Sequence, residues 1–163
     1  MAQTSPAKPA TKMTLPSDTE IQFERTFNAP RELVWRAFTD PALIVQWLGP
    51  SRLKTIVEHM DVRPGGKWRF IHVDTDGTEY GFHGDFLEVV RPERIKQTWV
   101  FEGFPDASSI ETATLTEREG RTTVVSHARY KSKEHRDGHL NAGMEEGALE
   151  SYDRLAKLVE SLR

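Results

Sequence analysis

The chain has 163 residues and a formal net charge of −3, which fits one domain plus a tail and offers no overall positive charge for binding nucleic acid. It contains no cysteine, so thiolate nucleophiles, cysteine-ligated metal centres and disulfides are excluded. It also has neither an apolar run of the roughly 20 residues that span a bilayer nor the apolar core of a signal peptide, so we expect a soluble cytoplasmic protein without a nucleic-acid or membrane partner.

The N-terminal segment, residues 1–18, consists mainly of Ala, Pro, Thr, Ser and Lys. Such a composition cannot bury enough apolar surface to order itself, so we expect a flexible tail followed by a single domain over residues 19–163. Residues 20–27 alternate between apolar and polar side chains. This alternation predicts a half-buried strand.

Two short helices are predicted after this strand. Residues 31–38 place apolar side chains at helical spacing, and residues 40–47 begin with an Asp-Pro pair that suits a helix N-terminus. From there to about residue 130 the pattern is almost entirely strand, interrupted by turns rich in Gly, Pro and Asp. The six predicted strands cover residues 54–62, 67–73, 79–90, 94–102, 110–117 and 122–130.

The C-terminal segment, residues 134–162, has the longest helical pattern, with apolar residues every three or four positions and Ser132 as its N-cap. Gly143 and Gly147 fall inside this pattern, and each costs roughly 1 kcal/mol relative to alanine in a helix interior. Together with Ser151 they form a strip of small residues. Such a strip either packs closely against strands or lines one wall of a cavity, and both interpretations stay open here.

The order of these elements predicts an α+β fold. An antiparallel sheet of about seven strands must bury its aromatic face, and the C-terminal helix is the predicted element long enough to cover it. We therefore expect a strongly bent sheet, two short helices after the first strand, and a long C-terminal helix packed across the sheet. A sheet bent in this way leaves a hollow beneath the helix, which is either filled by side chains or open to a ligand.

Seven phrases of the chain match a pattern shared by one group of proteins. They are NAPRELVWRAFTDP at 28–41, WLGP at 47–50, RPGG at 63–66, GDFLEVVRPERI at 84–95, TW at 98–99, GMEEG at 143–147 and SYDRL at 151–155. With these phrases the chain resembles the START-like (helix-grip, SRPBCC) superfamily, and within it the family named after the activator of heat-shock-protein-90 ATPase. The resemblance covers about residues 20–163.

This resemblance implies the helix-grip fold and a pocket for an apolar or amphipathic small molecule. Some members of the superfamily are aromatase/cyclases of polyketide pathways, and others sequester a toxic metabolite. Relatives often carry tryptophan where this chain has Ala148. The smaller side chain would enlarge the pocket if position 148 faces it.

The candidate pocket lining is a set of aromatic, small and histidine side chains on the predicted strands and helices. Each aromatic residue alone would suit a packed core equally well, but as a group under a curved sheet they favour a pocket. The predicted lining residues are Trp35, Phe38, Trp47, Trp68, Phe70, Phe82, Phe86, Trp99, Phe101, His127, Met144, Gly147 and Ser151.

The histidines offer several kinds of chemistry. His127 or His72, each on a predicted strand, would be able to hydrogen-bond a ligand or act as an acid or base. A zinc site would need His72, His83 and His127 to converge, but their spacing does not require it, and no metal is predicted. His135 and His139 lie four residues apart in the last predicted helix, where we expect a solvated surface.

Three strand carboxylates, Asp85, Glu88 and Glu111, are candidates for proton transfer if one of them turns inward. A carboxylate in an apolar pocket has a raised pKa and can move protons near neutral pH. The chain has no Gly-x-Ser-x-Gly nucleophile motif. No catalytic residue is assigned, and no cofactor is predicted.

The favoured function is binding of a small hydrophobic or aromatic molecule in a cavity between the bent sheet and the C-terminal helix. One alternative is a cyclase- or hydrolase-type enzyme that uses a histidine or carboxylate in the cavity. A second alternative is a co-chaperone-like module that binds protein, and a third is a packed core without a pocket. Exposed strand edges would also permit a homodimer.

Overall fold

The computed structural model describes residues 10–163, and in these residues it places one antiparallel sheet of eight strands. The order of the strands across the sheet is β1-β2-β8-β7-β6-β5-β4-β3. Consecutive strands from β3 to β8 are neighbours, so this part of the chain is a meander, and β2 closes against the last strand. The strands are β1 (Lys12–Thr14), β2 (Glu20–Phe27), β3 (Lys54–Met60), β4 (Lys67–Val73), β5 (Glu79–Val90), β6 (Arg94–Phe101), β7 (Ser109–Arg118) and β8 (Arg121–Tyr130).

In the described residues four α-helices accompany the sheet, together with a 3-10 turn at Pro105–Ala107. They are α1 (Arg31–Thr39), α2 (Pro41–Ile44), α3 (Lys133–Asn141) and α4 (Met144–Ser161). Two of them begin at the caps expected from the sequence, because an Asp or Ser side chain can accept a free N–H of the first turn. Asp40 accepts the N–H of Ala42 at 2.9 Å, and Ser132 accepts the N–H of His135 at 3.1 Å.

The predicted helix over residues 134–162 is divided into α3 and α4. Gly143 lies at the break with a φ of 85°, a left-handed conformation that glycine adopts at little cost. Helical periodicity alone does not reveal such a break, because the apolar stripe continues on both sides of it. The break lets α3 lie against β8 while α4 runs towards β2 and α1.

An eighth strand lies within the segment expected to be a flexible tail. Lys12–Thr14 pairs with β2, with Lys12 opposite Glu24 and Thr14 opposite Gln22. Residues 1–9 of that expected tail lie outside the described residues. The second predicted helix is also shorter than expected, since α2 ends at Ile44 and the chain continues in turns.

Irregularities in two strands help the sheet to bend. The register shifts between Val57 and His59 in β3 and between Phe86 and Glu88 in β5, and such bulges increase the local bend and twist. At Gly84 a Cβ atom would lie only 1.9 Å from the carbonyl oxygen of Thr98 on β6. Only glycine therefore permits this close approach of β5 and β6.

One end of the space between sheet and helices is a fully packed apolar core. Its contributors on the sheet, on α1 and on α4 are almost completely buried: Phe27, Val34, Leu115, Val124, Leu155 and Val159. Complete burial of such a side chain is worth roughly 1.5–3 kcal/mol. The Nη1 of Arg25 on β2 also donates to Asp153 Oδ1 on α4 at 2.8 Å. These contacts hold the C-terminal half of α4 against the sheet.

Candidate functional site

The strand register shows which polar side chains face the helices. The Tyr152 hydroxyl of α4 donates to the Ser126 hydroxyl of β8, so Ser126 points inward and, by alternation along the strand, Ala128 and Tyr130 do too. Glu111 of β7 lies opposite Ala128, and Gln97 of β6 lies opposite Glu111. Directly opposed residues share a face of the sheet, so Gln97 and Glu111 also point inward.

Further along the same face, Ser109 lies between Trp99 of β6 and Tyr130 of β8. We call this group the polar end of the inner face. It is defined by Gln97, Ser109, Glu111, Ser126, Tyr130, Tyr152 and His139.

Glu111 is the acidic member of this group. The residue is only partly buried, although it lies on the inner face of the sheet. Burial raises the pKa of the Glu111 carboxyl to about 7, because a charged carboxylate is poorly solvated there. Among residues 10–163 no Lys, Arg or His side chain forms an ion pair with it.

The charge of Glu111 contributes to the pKa values of both inward-facing tyrosines, Tyr130 and Tyr152. Burial, followed by the charge of Glu111, raises the pKa of Tyr130 well above its usual value. Burial and, less strongly, Glu111 also raise the pKa of Tyr152 to about 12. Both phenols are therefore neutral hydrogen-bonding groups at physiological pH, placed near a carboxyl that titrates close to neutrality.

His139 belongs to this group, contrary to the prediction of a solvated helix surface. Its Nδ1 is hydrogen-bonded to the Tyr130 hydroxyl, and burial lowers the pKa of the imidazole. His135 does not join the group, because its ring packs edge-on against Phe104 with 6.0 Å between centroids. The prediction for His139 was wrong because α3 lies against β8, a packing that its own weakly amphipathic sequence does not indicate.

His72 also points towards the inner face, but it lies on β4, away from the polar end. Its hydrogen bonds are structural. Its Nδ1 lies 3.0 Å from the Thr55 hydroxyl, which in turn donates to the carbonyl of Leu48 at 2.9 Å. Since the hydroxyl proton is directed to Leu48, the histidine Nδ1 is the donor. Burial lowers the pKa of His72 to about 4, so it remains neutral and links β4, β3 and the loop after α2.

His127, a predicted lining residue, faces away from the helices. It alternates with Ser126 and Ala128, and its Nε2 is hydrogen-bonded to the Glu20 carboxylate on the outer face. His83 also faces outward and bonds Glu102 at 2.9 Å. The prediction for His127 was wrong because the sequence marks β8 as a strand but does not show which of its two faces is covered by α3 and α4.

Of the three carboxylates proposed for proton transfer, only Glu111 turns inward. Asp85 forms an exposed ion pair with Lys67 at 2.6 Å, and Glu88 lies 3.6 Å from Arg94 on the surface. In the part of the chain that the structure describes, no group of three or more His, Asp or Glu side chains is arranged to hold a metal ion.

The predicted aromatic lining divides into two classes. Trp35, Trp47, Trp68, Phe70 and Phe86 are buried core residues. Five other predicted lining residues are only partly buried: Phe38, Phe82, Trp99, Phe101 and Met144. Trp99 contacts both classes: its ring centroid is 4.6 Å from that of the buried Trp68 and 5.7 Å from that of the partly buried Phe82. Among residues 10–163, the buried indole N–H of Trp68 has no hydrogen-bond partner.

The strip of small residues (Gly143, Gly147 and Ser151) makes its contacts mainly with the loop after α2. Ser151 accepts the N–H of Gly49 at 2.8 Å and donates to the carbonyl of Gly147 at 2.9 Å. A Cβ at Gly147 would meet only Pro50, at 4.0 Å, and a Cβ at Gly143 would meet nothing. Close packing against strands therefore does not explain these glycines, and Ser151 faces the loop rather than the polar end.

Two surface concavities lie elsewhere on the molecule. One, of about 460 Å³, includes Arg69, Tyr80, Phe101 and Glu102, and the other, of about 260 Å³, lies between α1 and Arg91. Neither includes Glu111. Phe101 and Trp35 thus border surface concavities. No helix among the described residues is long and apolar enough to cross a membrane.

Comparison with solved structures shows the same fold in several bacterial proteins. A protein of Rhodobacter sphaeroides is similar over 93% of this chain and 99% of its own, with 24% identity and a TM-score of 0.86. Protein Ms6760 of Mycobacterium smegmatis is similar over 95% of this chain and 100% of its own, with 26% identity and a TM-score of 0.83. No curated protein matches the chain.

A third similar structure is DynU16, a protein of the dynemicin biosynthetic locus. It has 25% identity and a TM-score of 0.70 over 91% of this chain, which spans about half (49%) of DynU16. The sequence model described as activator of Hsp90 ATPase homolog 1-like protein matches residues 28–160. This match, which covers most of the chain, and the antiparallel helix-grip fold agree with the resemblance in the sequence motifs, and the chain therefore belongs to the activator of Hsp90 ATPase homolog 1-like family within the START-like superfamily.

Proposed function

We propose that the protein binds a small, largely apolar or aromatic molecule between the inner face of β5–β7 and the N-terminal half of α4. The observation that carries this proposal is a contrast in burial along the inner face. Leu115 and Val124, at one end of this face, are almost completely buried. Trp99 and Glu111, on the same face towards the other end, keep accessible surface.

The side chains around this space suit an amphipathic ligand. Phe82, Trp99 and Met144 offer partly buried apolar surface, and Gln97 and Glu111 offer a few polar groups at one end. Ligand sites commonly combine a mainly apolar lining with few, well-placed polar groups. Removing roughly 200 Å² of apolar ligand surface from water would contribute about 5 kcal/mol to binding.

Ala148 lies on the face of α4 that would border the bound molecule. It lies one turn before Tyr152 and one turn after Met144 on α4, so the three share a helix face. Tyr152 is buried, whereas Ala148 and Met144 are only partly buried. A small residue here leaves room that a tryptophan would fill.

Native mass spectrometry, followed by a thermal-shift screen of apolar and aromatic compounds, would test the proposal. We expect a bound mass that is lost on denaturation, or compounds that raise the melting temperature. Ala148→Trp should abolish both effects, whereas Glu145→Trp, which places the same bulk on an exposed position of α4, should not. Absence of any bound mass and of any shift in the wild-type protein would contradict the proposal.

A second candidate, a proton-transferring enzyme on the same fold, is favoured by Glu111. A carboxyl with a pKa of about 7 is suited to act as a general base near neutral pH, and neutral Tyr130 and His139 are hydrogen-bonding groups close by. DynU16, from a biosynthetic locus, is compatible with such chemistry on this fold.

The two candidates differ in what happens to a bound molecule. The test is to incubate an identified ligand with the protein in deuterated water and to follow its spectrum by NMR. Deuterium uptake or conversion that Glu111→Gln abolishes, while binding persists, would establish catalysis. A ligand that stays unchanged would identify the protein as a binder.

A further inference from the structure

In the part of the chain that the structure describes, the polar end of the inner face contains an acidic group without a balancing cation. Glu111 has no ion-pair partner in residues 10–163. The inward-facing Arg25 on β2 is paired with Asp153 of α4 at 2.8 Å. A carboxylate that is removed from water loses much of its solvation, and a proton or an opposite charge compensates for that loss.

The groups around Glu111 come from five elements, and none of them supplies that charge. β6 contributes the amide of Gln97, and β7 contributes the hydroxyl of Ser109. β8 contributes Ser126 and Tyr130, α3 contributes His139 and α4 contributes Tyr152. The two phenols are neutral because their pKa values are raised, and His139 is neutral because burial lowers its pKa.

From this arrangement we infer that the ligand of the proposed site carries a protonated amine on an aromatic or apolar body, and that the ammonium pairs with the Glu111 carboxylate. The inference rests on the proposed binding function and specifies the class of ligand. An anionic ligand would meet a like charge, and a neutral one would leave the carboxylate without an opposite charge. The faces of aromatic residues such as Trp99 and Phe82 also favour a cation.

The preference for an amine depends on pH. With a pKa of about 7, the Glu111 carboxyl is mostly ionised at pH 8 and mostly protonated at pH 6. The pKa values of the neighbouring phenols are raised, so both phenols stay neutral over this interval, and burial lowers the pKa of His139, which disfavours its charged form. Glu111 is therefore the group of the polar end that gains a negative charge between pH 6 and pH 8. The preference for a primary amine, which stays protonated at both pH values, is therefore larger at pH 8.

Three probes of equal size but different charge test the inference by isothermal titration calorimetry at pH 8. They are 2-naphthylmethylamine, 2-naphthalenemethanol and 2-naphthoate. We expect the wild-type protein to bind the amine at least about tenfold more tightly than the alcohol, and the naphthoate most weakly. Glu111→Gln should bring the amine and the alcohol within about twofold of each other. The matched control Glu24→Gln, which removes an exposed carboxylate on the outer face of β2, should keep the preference.

The outcomes separate this inference from the proposed function. If the wild-type protein binds the alcohol but shows no preference for the amine, or if Glu111→Gln retains the preference, the amine inference is wrong while the binding function stands. If none of the three probes binds the wild-type protein and the broader screen also finds no ligand, the binding function fails and the inference fails with it. An amine preference that does not decrease at pH 6 would also overturn the inference.

Discussion

Replacing Glu111 by glutamine should change how the stability of the protein depends on pH. The Glu111 side chain lies on the inner face of the sheet, and burial raises the pKa of its carboxyl from an ordinary value of 4.5 to about 7. Between these two values the folded state holds a proton that the unfolded state has released. The wild-type protein should therefore lose stability as the pH rises from about 4.5 to about 7, and the full loss should be present above pH 7.

The size of the effect follows from the shift. A difference between 4.5 and about 7 corresponds to roughly 3 kcal/mol, since each pKa unit represents 1.36 kcal/mol. Glu111 is only partly buried, so solvent screening reduces the expected value to about 2 kcal/mol. Glutamine has nearly the same shape and no charge. The Glu111→Gln variant should therefore be more stable than the wild-type protein at pH 8 by about this amount and close to it at pH 4.5.

Urea unfolding at pH 4.5, 6 and 8, followed by far-ultraviolet circular dichroism, measures this difference. The quantity to compare is the free energy of unfolding of the variant minus that of the wild-type protein at each pH. Glu24→Gln serves as the control, because its exposed carboxylate should give a difference near zero at every pH. A constant difference for Glu111→Gln between pH 4.5 and 8 would refute the reasoning, since it would mean that the carboxyl ionises equally well in both states.

Three further predictions concern α4 and its start. Gly147→Ala should stabilise the protein by about 0.5–1 kcal/mol because the helix position has open space. Gly143→Ala should destabilise it by roughly 1 kcal/mol because its φ is 85°. Opposite shifts in the urea midpoint of unfolding would verify the pair, and equal shifts would contradict it. Leu155→Ala, at a side chain with 0% exposure, should cost about 2–5 kcal/mol by calorimetric melting, and a cost below 1 kcal/mol would mean that the core is not packed there. Ser151→Ala should cost about 1–2 kcal/mol and speed hydrogen exchange at Gly49, whose N–H would lose its acceptor; unchanged exchange would exclude this role.

The strands were predictable because their side chains alternate over lengths that leave little ambiguity. β4 and β6 have the predicted starts, and β8 ends at the predicted residue. The bends at Gly84 and after Phe86 were harder to predict from the sequence. A glycine within a strand pattern suggests an irregularity, but the register that shows it depends on which strand lies beside it.

The candidate site was only partly predictable. Glu111 was identified as one of three carboxylates that would matter if turned inward, and the sequence did not distinguish it from Asp85 and Glu88. His127 was assigned to the wrong face, and His139 was assigned to solvent. The orientation of each of these side chains depends on which face of its strand or helix is covered by another part of the chain. The covering segment is distant in sequence, so local patterns do not reveal it.

The sequence by itself determined the family, the α+β class, the antiparallel meander and the helix that covers it, because local periodicity, turn residues and motifs are properties of neighbouring positions. Only the tertiary structure decided that the last helix breaks at Gly143, that α3 brings His139 onto Tyr130, and that Glu111 faces inward with no ion-pair partner among residues 10–163. These features depend on the bend of the sheet and on the path of the chain across it. A buried carboxyl acquires its chemistry from the residues that surround it, and those residues come together only when distant segments pack.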